Sequence, residues 1–163
     1  MLLVGSRHAS LAVRIAFFSA VAVGCLLLIS AADAQELKGR TVVYTFAGES
    51  GQIYVAPSGN IYYSFKNRRV GLQFKLGRTV QRTQHGCRAQ YTAALNGSVL
   101  LLDDATDCPS RQQRWTQHMV VRMNGNACQL SNRMTGDTPG VGHTDTAFTA
   151  ESCVVLPGNH LAQ

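Results

Sequence analysis

Residues 87–108 read CRAQYTAALNGSVLLLDDATDC. Two strand-like runs, RAQYTAAL and SVLLLD, flank Asn96-Gly97. Both turn residues accept the positive φ of a type I′ turn, so the stretch predicts a β-hairpin. With Asn96 and Gly97 as the turn, Cys87 falls opposite Thr106, two residues from Cys108. A disulfide needs Cα atoms about 4.4–6.8 Å apart, and this register allows a Cys87–Cys108 bridge. Asp103, Asp104 and Asp107 then stand at a strand end that turns into solvent. Their spacing does not follow the Asp-x-Asp-x-Asp-Gly pattern of a calcium loop, so no metal site is expected from them.

The same pattern of short strands and turns runs through residues 35–163. Val42, Tyr44 and Phe46 alternate with smaller residues, the period-two signature of a half-buried strand. QIYV and IYYSF flank Ala56-Pro57-Ser58-Gly59-Asn60, where Pro presets φ and Gly and Asn tolerate positive φ. In VGLQFKL, alternation would put Val70, Leu72, Phe74 and Leu76 on one face. RWTQHMVVRM, CQLSNRM and a last strand, AFTAESCVVL, follow further loops. The expected fold is all-β, an antiparallel sandwich or small barrel of about eight or nine strands.

Residues 1–34 carry Arg7 and Arg14, then the apolar run IAFFSAVAVGCLLLI, then Ala32 and Ala34 at the places expected before a cut ahead of Gln35. This is the pattern of a secretory signal peptide. Its apolar run is shorter than the roughly 20 residues that cross a bilayer. Residues 35–163 then form a single domain for the periplasm or the exterior, with no later apolar span. Four cysteines remain in it, an even number in an oxidising compartment, which predicts two disulfides. Pairing CQLSNRM with the last strand as a hairpin matches Met134 with Ala147 and Cys128 with Cys153, giving the second bridge. A zinc site or redox pair would show close Cys-x-x-Cys spacing, which is absent.

The domain carries 13 Lys and Arg against 8 Asp and Glu, and ten of the 13 are arginine. The densest cluster is SFKNRRVGLQFKLGR, with Lys66, Arg68, Arg69, Lys75 and Arg78. Tyr62, Tyr63, Phe65 and Phe74 are interleaved with it, and alternation sends all but Tyr62 toward the core. These cations and Tyr62 are the candidate binding residues, suited to pairing with anionic groups. For an exported protein the natural partners are anionic polysaccharide or lipid headgroups of an envelope, and no nucleic acid is expected. His85, His118, His143 and His160 are scattered, and neither HExxH nor GxSxG occurs. No catalytic group, cofactor or metal is called for; His118, within a strand, reads as a hydrogen-bonded structural histidine.

The opening LKGRTVVYTF and the closing AESCVVLPGNHLAQ resemble the two ends of a group of small exported bacterial proteins. That group has a Leu-Lys-Gly-Lys/Arg strand start and a terminal Ser-Cys followed by Gly-Asn. The resemblance implies export, a β-rich fold and Cys128–Cys153 as a shared pair, and it implies no activity. The expected function is an exported, non-catalytic β-domain that holds an anionic envelope or extracellular polymer on its arginine-rich face. A barrel enclosing an apolar ligand, a protein-binding inhibitor and a secreted hydrolase are the alternatives.

Overall fold

In the computed structural model the described residues are 37–66 and 68–161, with the backbone alone described for 68–73. The expected signal segment lies outside them. Eleven strands follow one another: β1 Arg40–Phe46, β2 Glu49–Val55, β3 Asn60–Phe65, β4 Arg68–Lys75, β5 Thr79–Gln84, β6 Cys87–Asn96, β7 Val99–Cys108, β8 Gln113–Asn124, β9 Ala127–Thr138, β10 Gly142–Thr149 and β11 Ser152–Pro157. They pair in the order β4-β3-β2-β1-β11-β9-β8-β7-β6-β5, with β10 on β9. The sheet curls until its ends nearly meet, so the small barrel is the form adopted. The 3-10 turn Pro109–Arg111 joins β7 to β8.

The barrel closes where β4 runs into β5. Lys75 bridges Arg78, Leu76 bridges Ala93 in parallel, and the Gly77 amide donates to the Ala93 carbonyl at 2.9 Å. Phe74 meets Tyr91 edge to face at 5.4 Å beneath this seam. Inside lie Leu37, Val42, Ile53, Val55, Ile61, Leu100, Leu102, Val121, Leu130 and Val155, all almost wholly buried. They come from alternate positions of their strands, as inward-facing residues must. Tyr44 is fully buried among them, its hydroxyl 2.9 Å from that of Tyr63. A Cβ at Gly51 would lie 2.2 Å from the Tyr44 ring, so only glycine lets this ring fill the interior.

The hairpin of residues 87–108 forms, with its turn displaced by one residue. Asn96 pairs with Val99, so Gly97 and Ser98 make the turn, and Gly97 takes φ +58°. Cys87 therefore stands directly opposite Cys108, and the two are bonded. The aspartates are corrected by the same register. β7 continues through them to Cys108, because β8 pairs with it along its whole length. Asp103 and Asp104 are mid-strand residues, while Asp107 is the last but one of β7, still paired on both sides.

The strands depart from expectation in three places, beginning with β5, where none was expected. β5, TVQRTQ, carries no apolar alternation and is almost wholly exposed; it forms because β6 supplies a ladder from Thr79↔Thr92 to Gln84↔Cys87. The expected last strand is two. β10 pairs with β9, placing Met134 opposite Thr146 and not Ala147. The chain then breaks at Ala150-Glu151, and β11 crosses to β1. Only Val154↔Ala127 ties β11 to β9, in the register that was expected for the bonded Cys128 and Cys153. Along β4 the alternation of Val70, Leu72, Phe74 and Leu76 is broken too. The β3–β4 ladder slips twice and Leu72 pairs with Tyr62.

The N- and C-terminal motifs meet. β1 pairs with β11 from Arg40↔Pro157 to Thr45↔Ser152, and the Thr41 hydroxyl donates to the Gly158 carbonyl at 2.7 Å. Leu37 is buried beside them, 1% exposed.

The two disulfides span 21 and 25 residues, so loop-closure entropy alone assigns each about 3 kcal/mol. Cys87–Cys108 lies beside a long β6–β7 ladder, whereas Cys128–Cys153 reinforces a junction with one backbone bridge. We expect Cys128→Ser/Cys153→Ser to lose at least about 1 kcal/mol more than Cys87→Ser/Cys108→Ser, the worth of about one further interaction. Denaturant unfolding of the two variants measures this, and equal losses would show that the junction holds without its bond.

Candidate functional site

Between Ser50 and Leu102 there is no Asp or Glu, while Lys66, Arg68, Arg69, Lys75, Arg78, Arg82 and Arg88 all fall there. In the fold this segment is β3 to β6 with the end of β2. The sheet order sets β3 and β4 at one edge and β5 and β6 at the other. Closure at Lys75–Arg78 makes the two edges neighbours, so the carboxylate-free strands become one contiguous sector. Sequence inspection centred on the cluster at 66–78 and missed Arg82 and Arg88, although the long interval without an acid was there to be read.

Within this sector the expected residues are spread along an edge. Lys66 sits at the tip of the β3–β4 hairpin with φ +52°. It is 3.6 Å from Glu49 and lies over the Phe65 ring at 5.7 Å, which makes it the neutralised member. Lys75 and Arg78 flank the turn at the other end of the hairpin, where the Arg78 amide donates to the Lys75 carbonyl at 3.2 Å. Five residues of β3 separate the two ends, a distance of about 17 Å. Arg68 and Arg69 face Phe65 and Ser64 in backbone register; their side chains lie outside the described residues. Tyr62 points outward and is half-buried against Tyr54. Lys75, Arg78, Arg82 and Arg88 have no carboxylate partner among the described residues. An open groove of about 470 Å³ crosses β5 to β8, with Arg82, Arg88, Arg114 and Trp115 in its lining; Asp107, opposite Arg88 on β7, lines it too and borders the sector on this side.

The described acids are concentrated on β7 to β10, where cross-strand pairing occupies them. Arg133 holds Asp145 through two bonds, at 3.0 and 2.5 Å, and this keeps the Asp145 carboxyl below its ordinary range. Asp107 is 3.7 Å from Arg114, and Asp137 is 2.9 Å from His143. Asp103 is 2.5 Å from His118 Nδ1, so His118 is hydrogen-bonded within its strand. This pair lines an open depression of about 290 Å³ with Thr116, Gln117, Arg133 and Thr135. Among the described residues no hydroxyl or thiol bonds the other nitrogen of His118. The Asp103 contact holds the exposed His118 ring against β7. No three His, Cys, Asp or Glu side chains converge on one point among the described residues.

Asp104 is the exception to this outward pairing. It faces inward opposite Tyr91 and accepts the Thr106 hydroxyl at 3.0 Å. Burial raises its carboxyl above the usual range, and the Thr106 bond offsets part of the rise. Burial likewise raises the Tyr91 phenol, the Asp104 charge adding to it and Arg82 opposing it.

No family model matches this chain, and no curated protein matches it. Among solved structures it is similar to a secretary abundant heat soluble (SAHS) protein from Ramazzottius varieornatus. The TM-score is 0.40 at 13% identity, over 77% of this chain and 96% of that one. A likeness that slight carries nothing across.

The Asp104 shift has a definite sign. A carboxyl whose folded pKa is raised favours folding when protonated, and that contribution is lost as the pH rises through the folded value. Asp104→Asn, neutral at every pH and able to accept the Thr106 hydroxyl, should raise the thermal midpoint at pH 7. The gain should vanish below about pH 4, where the native carboxyl is itself protonated. Melting curves across that range check it, and a gain independent of pH would overturn it.

Proposed function

We propose that this protein is an exported, non-catalytic β-barrel that binds an anionic envelope or extracellular polymer through its carboxylate-free sector. One observation carries this reading: barrel closure joins two strand pairs that, with their connecting turns, hold seven Lys and Arg and no acid. Arg78, Arg82 and Arg88 are exposed and Lys75 is half-buried, so a long chain of negative groups can meet several cations at once. Fields from like charges gathered on one surface add, raising the local concentration of a polyanion. Arginine also matches planar carboxylate and sulfate groups with paired donors.

Other features support the export half. Two disulfides suit a compartment where thiols oxidise. Among the described residues no helix is long and apolar enough to cross a membrane. An apolar-ligand reading needs space inside the barrel, where Tyr44 and its neighbours stand. The depressions described above open at the surface instead.

The test is retention on heparin and on lipopolysaccharide matrices against rising salt. Arg78→Ser/Arg82→Ser should elute earlier, and the dependence of log affinity on log salt should fall by about one for each lost contact. Arg111→Ser/Arg122→Ser removes the same charge outside the sector and should elute like the parent. Equal effects of the two pairs would reduce the binding to net charge and reject the sector. Arg68→Ser/Arg69→Ser should behave as the first pair does.

A further inference from the structure

We infer that the bound polymer is an acidic polysaccharide, and that Tyr54 and Tyr62 form the platform on which its sugar rings rest. This deepens the polyanion-binding role proposed above and depends on it.

Tyr54 on β2 and Tyr62 on β3 are direct cross-strand partners. Their rings lie 6.3 Å apart and within 25° of parallel. Ile53, Val55 and Ile61, their chain neighbours, are 0% exposed, so alternation sends both tyrosines to the outer face. There they are half-buried. Neither phenol hydroxyl has a hydrogen-bond partner among the described residues. The inward tyrosines differ: the hydroxyls of Tyr44 and Tyr63 satisfy each other. Two near-parallel aromatic rings, their hydroxyls unpartnered among the described residues, therefore stand on the outside of the barrel.

Among the described residues the platform's charged neighbours along β3 and β4 are cations. Phe74 is 6% exposed, so its neighbour Lys75 points outward. Lys75 pairs with Asn60, two residues along β3 from Tyr62, or about 7 Å. Beyond it the turn leads to Arg78. A ligand fitting this arrangement offers a flat apolar ring face, hydroxyls for the phenols, and a negative group displaced to one side. A sugar ring bearing a carboxylate or sulfate combines all three. A lipid headgroup carries the charge without a repeated ring, so it would use the cations alone.

Three probes separate these possibilities: a heparin oligosaccharide, inorganic polyphosphate of matched charge, and an oligothymidylate. In Tyr54→Leu/Tyr62→Leu, heparin affinity should fall about tenfold, the scale of losing aromatic stacking. Polyphosphate affinity should stay unchanged. In the unaltered protein, heparin should protect Tyr54 and Tyr62 from nitration, as mapped by peptide mass, and polyphosphate should not. This second measurement stands whether or not the variant folds. Heparin affinity that holds, or falls in step with polyphosphate, overturns the platform and leaves the cationic sector in place. Oligothymidylate binding that depends on the tyrosines more than heparin binding does overturns it in favour of nucleic acid. Failure of every polyanion to bind rejects the underlying role itself.

Discussion

The bond between Cys128 and Cys153 crosses the place where the barrel's own hydrogen bonds are fewest. On one side β11 is zipped to β1 over six residue pairs; on the other β9 is zipped to β8 over eleven. Between β11 and β9 there is a single bridge, with the Val155 amide reaching the Asn126 carbonyl and the Ala150 amide reaching that of Leu130. The N-terminal four strands with β11 and the central run β5 to β10 are thus two parts of one sheet, joined at a thinly bonded junction. A covalent tie fixes their relation on this side, and the Lys75–Arg78 seam fixes it on the other. Everything that depends on β4 lying beside β5, including the continuity of the basic surface, depends on both joints holding.

The second joint has a chemical cost that the sequence answers locally. Bringing the edge that holds Arg68, Arg69 and Lys75 against the edge that holds Arg78, Arg82 and Arg88 crowds like charges. Beneath the seam, the packing of Phe74 on Tyr91 and the burial of Ala93 oppose that repulsion. The acids meanwhile are committed elsewhere, to Arg114, Arg133, His118 and His143 across β7 to β10.

Much of this architecture could be read in advance wherever side chains alternate against a core. β2 and β7 carry buried residues at every second place, β1 shows the period through Val42 and Tyr44, and Ala56–Asn60 forms the expected turn, the Gly59 amide donating to the Ala56 carbonyl. Cys87–Cys108 was legible because facing positions in a hairpin are set by arithmetic, whereas Cys128–Cys153 keeps its expected register without the hairpin it was read from, since β10 takes the place beside β9. What failed did so where the rule has no purchase. β5 has no buried face to give it a period. The break at Ala150-Glu151 lies inside a run that looks continuous, since Phe148 and the residues of β11 favour strand on either side. The slips in β4 came unannounced, because an extra residue in one strand leaves no mark in composition. For the candidate surface, the cluster at 66–78 was visible. Its continuation to Arg82 and Arg88 was not, because adjacency across a closing barrel is a property of topology. Tyr54 was overlooked for a related reason: its partner Tyr62 lies on the next strand, and only the ladder sets the two rings together.

The separation of charge also bears on how the molecule travels. With cations gathered on β3 to β6 and most of the acids on β7 to β10, the two parts of the barrel wall differ in the sign of their charge. A charged surface nearby would attract one part and repel the other, and so bias the face that a passing molecule turns toward it.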